Sequence, residues 1–574
     1  MAILEVLIEK YAVERRKRLR PDQVAQYVDF RDPVLAGMDT DPYVDHDALS
    51  SKGSPLRDGS EVKVLISGGG MLSLMVAHRL VTKAGTNSTD LVIVDKAGGF
   101  GGTWYWNRCH GHEIREHLER IAHTWNIQGQ FATAVTGQSW DEEAKRWVVT
   151  LSRNLGPHHE PEHLTVRSQF LILAGGIQTA PHAPKLNGVQ VFDSTPDKIL
   201  IHTGRWAWSK SGGSQENPDM VKFKGKRVGI IGTGATAAQV VPHLAKWAKH
   251  LYVFQRTPSY VGPQVQKEVT DADWAQVANE PGWQYERIKN LDAMFTGKPD
   301  VMDKIQDGWS KVYGMRPMAG YSGKIITREM EEQHVKDMMN IDHPWAEEMR
   351  SHVDAVVKDT STAGKLKAWY PGFCKRPTFH GVYLSIFNEP NVTLVDTDGR
   401  GVEAYTPNGV MANGSEYELD VLILATGYTV GLVDSYPSSA LAAPLTGRDG
   451  RSLKSKWDRE DYGTFYGAMT NGFPNLFFAS GNGGSVSQNA HSFYSLLSRL
   501  IANIVKGTLE RAQNPERASV EVEKGAEDAW SAKIVERARW FAAFPACTPG
   551  YLTGEGLLQS QKDLTEEEEH AMAH

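Results

Sequence analysis

Cysteine is nearly absent: Cys109, Cys374 and Cys547 are the whole complement of 574 residues, and they are widely spaced. Such a number and spacing exclude a disulfide framework and any Cys-x-x-Cys metal or redox pair, and they favour a reducing, intracellular (cytoplasmic) setting. Long apolar runs are also missing. None approaches the roughly 20 residues that cross a bilayer, so no membrane span is expected. The apolar stretch over 3–8 is broken by Glu5 and runs into Arg15-Arg16-Lys17-Arg18 without a small-residue cleavage site, which is not a secretory signal. Nor is positive charge in excess. With 62 basic and 69 acidic residues the net charge is −7, a poor balance for binding nucleic acid.

What remains is the composition of a globular protein, 41% hydrophobic and 23% charged, which excludes general disorder. Residues 1–60 are polar and interrupted by Pro33, Pro42 and Pro55, and read as an extension packed on a body. Asp39, Asp41, Asp45 and Asp47 imitate a calcium loop, but Val44 and Ser50 stand where an EF-hand needs Gly and Glu, so a polar loop is expected. From residue 62 the texture changes to strand, glycine turn, helix, strand and acid, a βαβ unit. A three-strand meander follows over 138–173. A second βαβ unit opens at 227, and residues from about 265 to 365 read as a helical insertion. Residues 421–425 form a further buried strand, and the chain is mostly helical from 490 on.

Two glycine fingerprints each sit directly after a strand. The first is Gly68-x-Gly70-x-x-Ser73: Gly68 permits the tight turn, Gly70 lets the backbone approach a pyrophosphate, and the small Ser73 replaces the glycine that serves close helix packing. Asp95 ends the next strand, where a carboxylate takes ribose hydroxyls and disfavours a 2′-phosphate. The second is Gly232-Thr233-Gly234-x-x-Ala237, and its next strand ends in Gln255-Arg256-Thr257. An arginine there suits a 2′-phosphate by charge and by geometry. The pair therefore calls for FAD first and NADPH second, with hydride passing from NADPH to the flavin. Disulfide reductases share that layout but need a redox cysteine pair. Oxygen is then the expected acceptor.

Residues 98–108, Gly-Gly-Phe-Gly-Gly-Thr-Trp-Tyr-Trp-Asn-Arg, resemble the Baeyer–Villiger flavin monooxygenases. So do Gln255-Arg256-Thr257-Pro258-Ser259, Phe373-Cys374-Lys375-Arg376-Pro377, Ala425-Thr426-Gly427-Tyr428 and Gly472-Phe473-Pro474-Asn475. The extension and Cys547-Thr548-Pro549-Gly550-Tyr551 are similar to the fungal branch that acts on bulky polycyclic or terpenoid ketones. The resemblance implies an α/β fold with two Rossmann-like dinucleotide-binding domains: an extension (1–60), an FAD domain in two parts (61–184 and 396–545), an NADPH domain (185–395) and a tail (546–574). It implies O2 and a ketone as substrates and an ester or lactone as product. It assigns Gly101, Thr103 and Trp104 to the flavin site, Lys375 with Arg256 and Thr257 to NADPH, and Arg376 to the reacting centre. No metal is expected. The family signature survives as His202-x-x-x-Trp206, with Ser194 in place of Gly and Ala207 in place of Pro or Asp. Trp206 favours this family over N- and S-oxygenating relatives.

One departure is large. After Arg108 the family continues with a segment carrying an aspartate that pairs with the active-site arginine. Here Cys109 runs straight into His110-Gly111-His112-Glu113-Ile114. The junction creates a zinc-like His112-Glu113 with His117, but five residues place the histidines about 140° apart on a helix. Ile114, Leu118, Ile121 and Trp125 read instead as its core stripe. With the segment missing, impaired turnover is the alternative expectation.

Overall fold

The computed structural model describes residues 2–108, 111–264, 268–298, 300–312, 324–429, 437, 443–458, 462–479, 483–484 and 489–559. The Cys109–His110 junction and part of the expected insertion lie outside them.

Two sheets organise the chain. The first has eight strands and centres on Glu61–Ser67, which runs parallel to Leu91–Val94 on one side and to Glu162–Leu173 on the other. The meander Thr133–Asp141, Arg146–Arg153 and Glu162–Leu173 extends it antiparallel. The alternating burial of Thr133–Asp141 is that of a sheet with one covered face, whereas the last six residues of Glu162–Leu173 are buried without interruption, as a central strand requires. The helix Met71–Lys83 follows the first glycine turn. Its Leu72, Leu74, Val76 and Leu80 pack with Leu497, Ile501 and Val505 of the helix Ala490–Arg511.

The second sheet has five strands, all parallel, in the order Val392–Asp396, His250–Gln255, Arg227–Ile231, Val421–Leu424 and Ile199–His202. Its core holds Val228, Ile230, Val253, Ile423 and the helix Ala235–Trp247. Here the boundary expected at 395/396 is corrected. Val421–Leu424 pairs with Arg227–Ile231, and among the described residues the chain rejoins the first sheet at Leu445–Thr446 and Leu476–Phe478. The expected helical stretch contains Asp271–Val277, Trp283–Phe295, Glu331–Val356 and Thr360–Leu366.

Where the chain passes between the sheets, the two passing segments pair with each other. Ala180–Pro184 on the outward passage lies antiparallel to Tyr428–Thr429 on the return, and Tyr27–Asp29 of the extension adds a third strand.

Two further expectations are corrected. Cys374 and Cys547, 173 residues apart in sequence, are joined by a disulfide, so scarcity of cysteine no longer speaks for a reducing compartment. The stripe on His112–Thr124 is only partly a core stripe: Leu118 is buried, but Ile114 and Trp125 are more than a third exposed.

A buried ion pair closes the C-terminal half. Lys456 Nζ donates to both oxygens of Glu527 at 2.9 Å, and Glu527 also accepts from Thr470 Oγ1 (2.7 Å) and the Asn471 amide (2.9 Å). Both side chains are wholly inaccessible. Removing one charge strands the other, so Glu527→Gln is expected to cost about 3–5 kcal/mol in urea unfolding, with far less lost when both are made apolar. Equal losses in the single and double variants would contradict this account.

Candidate active site

Each sheet presents a glycine turn at the carboxyl end of a central strand, where open α/β sheets bind ligands. The two turns are built alike. Gly68 has φ +108°, and a Cβ there would stand 2.8 Å from the Ala174 carbonyl oxygen; Gly232 has φ +110°, with Ala425 O at 2.4 Å. Only glycine combines that backbone with that approach. In the first turn Ser73 is buried and its hydroxyl donates to the Gly68 carbonyl, so it closes the turn besides being small. In the second, Ala237 is fully buried against the sheet. No atom comes within 4 Å of where a Cβ on Gly234 would stand, which leaves the start of Ala235–Trp247 open to an anion.

Asp95 stands at the first turn. Its carboxylate accepts from the Gly69 amide and, at 2.8 Å, from the Ala97 amide. Burial pushes its pKa up, and those hydrogen bonds oppose the shift. Two of about four acceptor positions remain for ribose hydroxyls. The stretch 98–106 lies directly on this turn: the Gly101 amide donates to Gly69 O at 3.0 Å, and Thr103–Trp106 forms a short helix. Thr103 Oγ1 reaches Gln178 Oε1 at 3.4 Å, while Trp104 covers Gly111. The turn, the carboxylate and the glycine-lined approach fit the pyrophosphate and ribose of a dinucleotide.

The extension holds that stretch in place, which its sequence did not announce. Asp41 accepts from the Gly98 amide (3.0 Å) and from the Tyr105 hydroxyl (2.7 Å). The Arg108 guanidinium lies 4.0 Å from the Tyr43 ring centre and 4.5 Å from that of Tyr105. Arg205 stacks on Trp106 at 3.8 Å and pairs with Asp39 at 3.2 Å.

At the second turn Thr233 Oγ1 donates to Thr257 O at 2.9 Å. Arg256 donates to Gln26 Oε1 (2.6 Å), the Tyr27 hydroxyl (2.8 Å) and Glu555 Oε2 (3.0 Å). Lys375 shares this pocket. Burial pulls its pKa down to about 7; the Arg256 charge adds to that pull and Glu555 opposes it. Arg256, Thr257, Thr233 and Lys375 are thus brought together, and Gln26, Tyr27 and Glu555 join them from parts of the sequence with no motif. Arg376 is exposed and sits elsewhere, its guanidinium 4.8 Å from the Trp309 ring centre and its main chain against Tyr551. Asp342 carries the base of that loop, accepting from the Gly372 amide at 2.9 Å with both oxygens.

The signature residues are interior. Trp206 is fully buried and donates to Ser211 Oγ at 3.1 Å. His202 Nδ1 accepts from the Gly204 amide at 3.0 Å, which leaves Nε2–H facing Thr426 Oγ1 at 3.4 Å. Tyr428 donates to Asn107 Oδ1 at 2.9 Å, so the return passage is fastened to the stretch that lies on the first turn.

No family model matches the chain. Among curated proteins it is similar to the polycyclic ketone monooxygenase of Thermothelomyces thermophilus, with 38% identity over 606 aligned positions, 98% of this chain and 91% of the relative. A Baeyer–Villiger monooxygenase of Stachybotrys chlorohalonatus is 37% identical over 590 aligned positions, 97% of this chain and 89% of that one. The chain belongs to the Baeyer–Villiger monooxygenase family. Among solved structures, that of the Thermothelomyces thermophila polycyclic ketone monooxygenase superposes with a TM-score of 0.93 at 37% identity, over 100% of this chain and 94% of that one. Closed cyclohexanone monooxygenase gives 0.65 at 25% identity, over 87% and 93%. As a Baeyer–Villiger monooxygenase the chain is an FAD-binding enzyme that inserts oxygen.

The buried histidines give a pH expectation. Burial pulls His182 down to about 4 and His202 to about 3, whereas both take a proton near 6.5 in the unfolded chain. The unfolded state binds more protons below about pH 6.5, so their contribution is complete above that value and is lost as pH falls toward 4 and 3. Asp342, pushed up to about 7 by burial, acts in the opposite sense, so a variant must isolate the effect. His182→Gln is expected to flatten the acid slope of unfolding free energy by about 1.4 kcal/mol per pH unit near pH 5. An unchanged slope would mean that His182 is not held neutral.

Proposed function

We infer that this monooxygenase converts a bulky polycyclic or terpenoid ketone to an ester or lactone, consuming NADPH and O2 inside the cell as part of secondary metabolism. The observation that carries the two-nucleotide assignment is the unlike ending of two like turns: Asp95 after the first, Arg256 with Lys375 at the second. A carboxylate suits the ribose hydroxyls of FAD, and paired cations suit the 2′-phosphate of NADPH. The substrate class rests on the far closer superposition with the polycyclic ketone enzyme than with the cyclohexanone enzyme.

In this reading Gly68, Gly70, Ser73, Asp95, Gly101, Thr103 and Trp104 hold FAD, from a domain whose first part is 61–184 and whose second part begins near 445. Gly232, Thr233, Gly234, Ala237, Arg256, Thr257 and Lys375 hold NADPH. Bound together, the two cofactors supply hydride transfer and oxygen activation. The chain's own part is to position and to stabilise charge. Arg376 offers a cation on a loop anchored by Asp342 and by the Cys374–Cys547 bond, and such a charge stabilises an anion formed beside it. His202 and Trp206 act through packing, setting the passage between the sheets.

The test is a panel of cyclic ketones, amines and sulfides offered to the FAD-loaded chain with NADPH, with product masses read. An oxygen inserted beside a ketone carbonyl supports the reading; N- or S-oxides alone would replace it with the related oxygenating chemistry. Arg376→Ala is expected to keep NADPH oxidation while ester formation falls about 100-fold or more.

A second reading, impaired turnover, is favoured by one fact: the alignment with the polycyclic ketone enzyme covers 606 positions although this chain has 574 residues. A shorter chain has less to seal the pocket from water, and about 1 Å of misplacement costs roughly 100-fold in rate. Under this reading NADPH oxidation outruns product and the difference appears as hydrogen peroxide. Restoring a family-like segment between Cys109 and His110 should recover coupling. One ester formed per NADPH in the chain as it stands would dismiss it.

A further inference from the structure

The pocket around Arg256 already contains an anion. Arg256 Nη2 donates to Glu555 Oε2 at 3.0 Å, and the two side chains are 22% and 10% exposed. The rest of the pocket is cationic or neutral. Lys375 lies beside the pair, and the main chain at Gly550 passes so close that a Cβ there would stand 3.1 Å from Lys375 Cε. Arg18 donates to Thr257 Oγ1 at 3.1 Å but has its own acid, Glu14, at 2.9 Å. Gln26 and Tyr27 accept from the other side of Arg256 and bring no carboxylate. Without Glu555, Arg256 would keep no hydrogen bond to a carboxylate among the described residues, and the Lys375 ammonium acts on it from nearby.

The segment that delivers Glu555 is built for one position. Glu555 has φ 56° and ψ 31°, between Gly554 (φ 56°) and Gly556 (φ 105°). A glutamate pays for the left-handed region where glycine does not, and it stays there only when its surroundings fix it. The fixing contacts are few: its amide donates to Gly550 O at 2.9 Å, and its carboxylate meets Arg256. Glycine on both sides leaves the carboxylate free to withdraw. The disulfide from Cys547 to Cys374 keeps the whole segment next to Lys375 even when it does.

We propose that Glu555 is a built-in competitor of the nucleotide's 2′-phosphate: its carboxylate fills the anion subsite of Arg256 and Lys375 and must leave before a 2′-phosphate can enter. This rests on the reading of Arg256 and Lys375 as the 2′-phosphate cations. A 2′-phosphate replaces the departing charge and the hydrogen bond. A 2′-hydroxyl replaces neither, so a nucleotide without the phosphate leaves the glutamate in place and neither gains from the subsite nor competes for it. The glutamate therefore weakens NADPH binding and leaves the binding of a nucleotide without the 2′-phosphate as it was.

The experiment is calorimetric titration of the FAD-loaded full chain with 2′,5′-ADP and with 5′-ADP. Glu555→Gln is expected to tighten 2′,5′-ADP about tenfold, the low end of what one charge-assisted hydrogen bond is worth, and to leave 5′-ADP unchanged. Glu555→Gly, which suits the backbone at that position, should tighten it at least as much. If both variants bind 2′,5′-ADP as wild type does or more weakly, Glu555 only props Arg256 and the proposal fails. Arg256→Ala separates the two layers. Loss of the preference for 2′,5′-ADP over 5′-ADP upholds the phosphate site whatever Glu555 does, and a preference that survives overturns the site and the proposal together.

Discussion

The two passages between the sheets are hydrogen-bonded to each other, and the arrangement of the molecule hangs on that pairing. Ala180–Pro184 leaves the first sheet, Tyr428–Thr429 comes back to it, and the two lie antiparallel. Thr426 and His182 lock them side to side: the Thr426 hydroxyl donates to the His182 carbonyl, and the imidazole Nε2 meets Thr426 O at 2.8 Å. Tyr27 stacks flat on His182 with ring centres 4.0 Å apart and reaches Arg256 with its hydroxyl. Burial favours the neutral imidazole here and outweighs the opposite pull of the Thr426 carbonyl and of the nearby Glu555 and Asp29 carboxylates. This junction, with the Tyr428–Asn107 and Arg205–Trp106 contacts, ties the surroundings of the two glycine turns to each other.

Much of this was legible because it is local. A strand, a glycine turn and a helix within 20 residues write themselves into hydrophobic period and glycine spacing, and both turns sit where those signals put them. What failed was membership. Residues 421–424 are an apolar run of four, which announces a buried strand but says nothing about which sheet receives it, and it went to the second. The pairing of Cys374 with Cys547 fails for the same reason: a contact across 173 residues leaves no periodic trace. Ile114 and Trp125 have the right helical spacing for a core stripe, yet the helix His112–Thr124 turns Leu118 and Ala122 inward and leaves those two more than a third exposed.

The site shows the same division. Arg256, Thr257, Thr233 and Lys375 were readable from motifs and do converge. Their partners were not, because Gln26 and Tyr27 lie in a polar stretch and Glu555 follows a short glycine-rich run, neither resembling a binding motif. The acids of the extension were read as a polar loop, and their partners were not readable: Asp39 pairs with the Arg205 guanidinium, and Asp41 accepts from the Gly98 amide and the Tyr105 hydroxyl. A carboxylate needs donors, and main-chain amides of a glycine-rich loop are as good as any.

Arg256 takes its partners from 229, 230 and 299 residues away. A ribosome adds residues one at a time, so the first sheet's glycine turn and the strands beside it are complete long before residue 555 has been made. Closure of the second pocket is thus a late event in the life of each new chain, and it joins contacts of very long sequence separation, the kind that form slowly. Until then Arg256 waits with Gln26 and Tyr27 alone. In a nascent chain the first glycine turn is in hand early, whereas the last partner of Arg256 arrives only when nearly all of the chain has emerged.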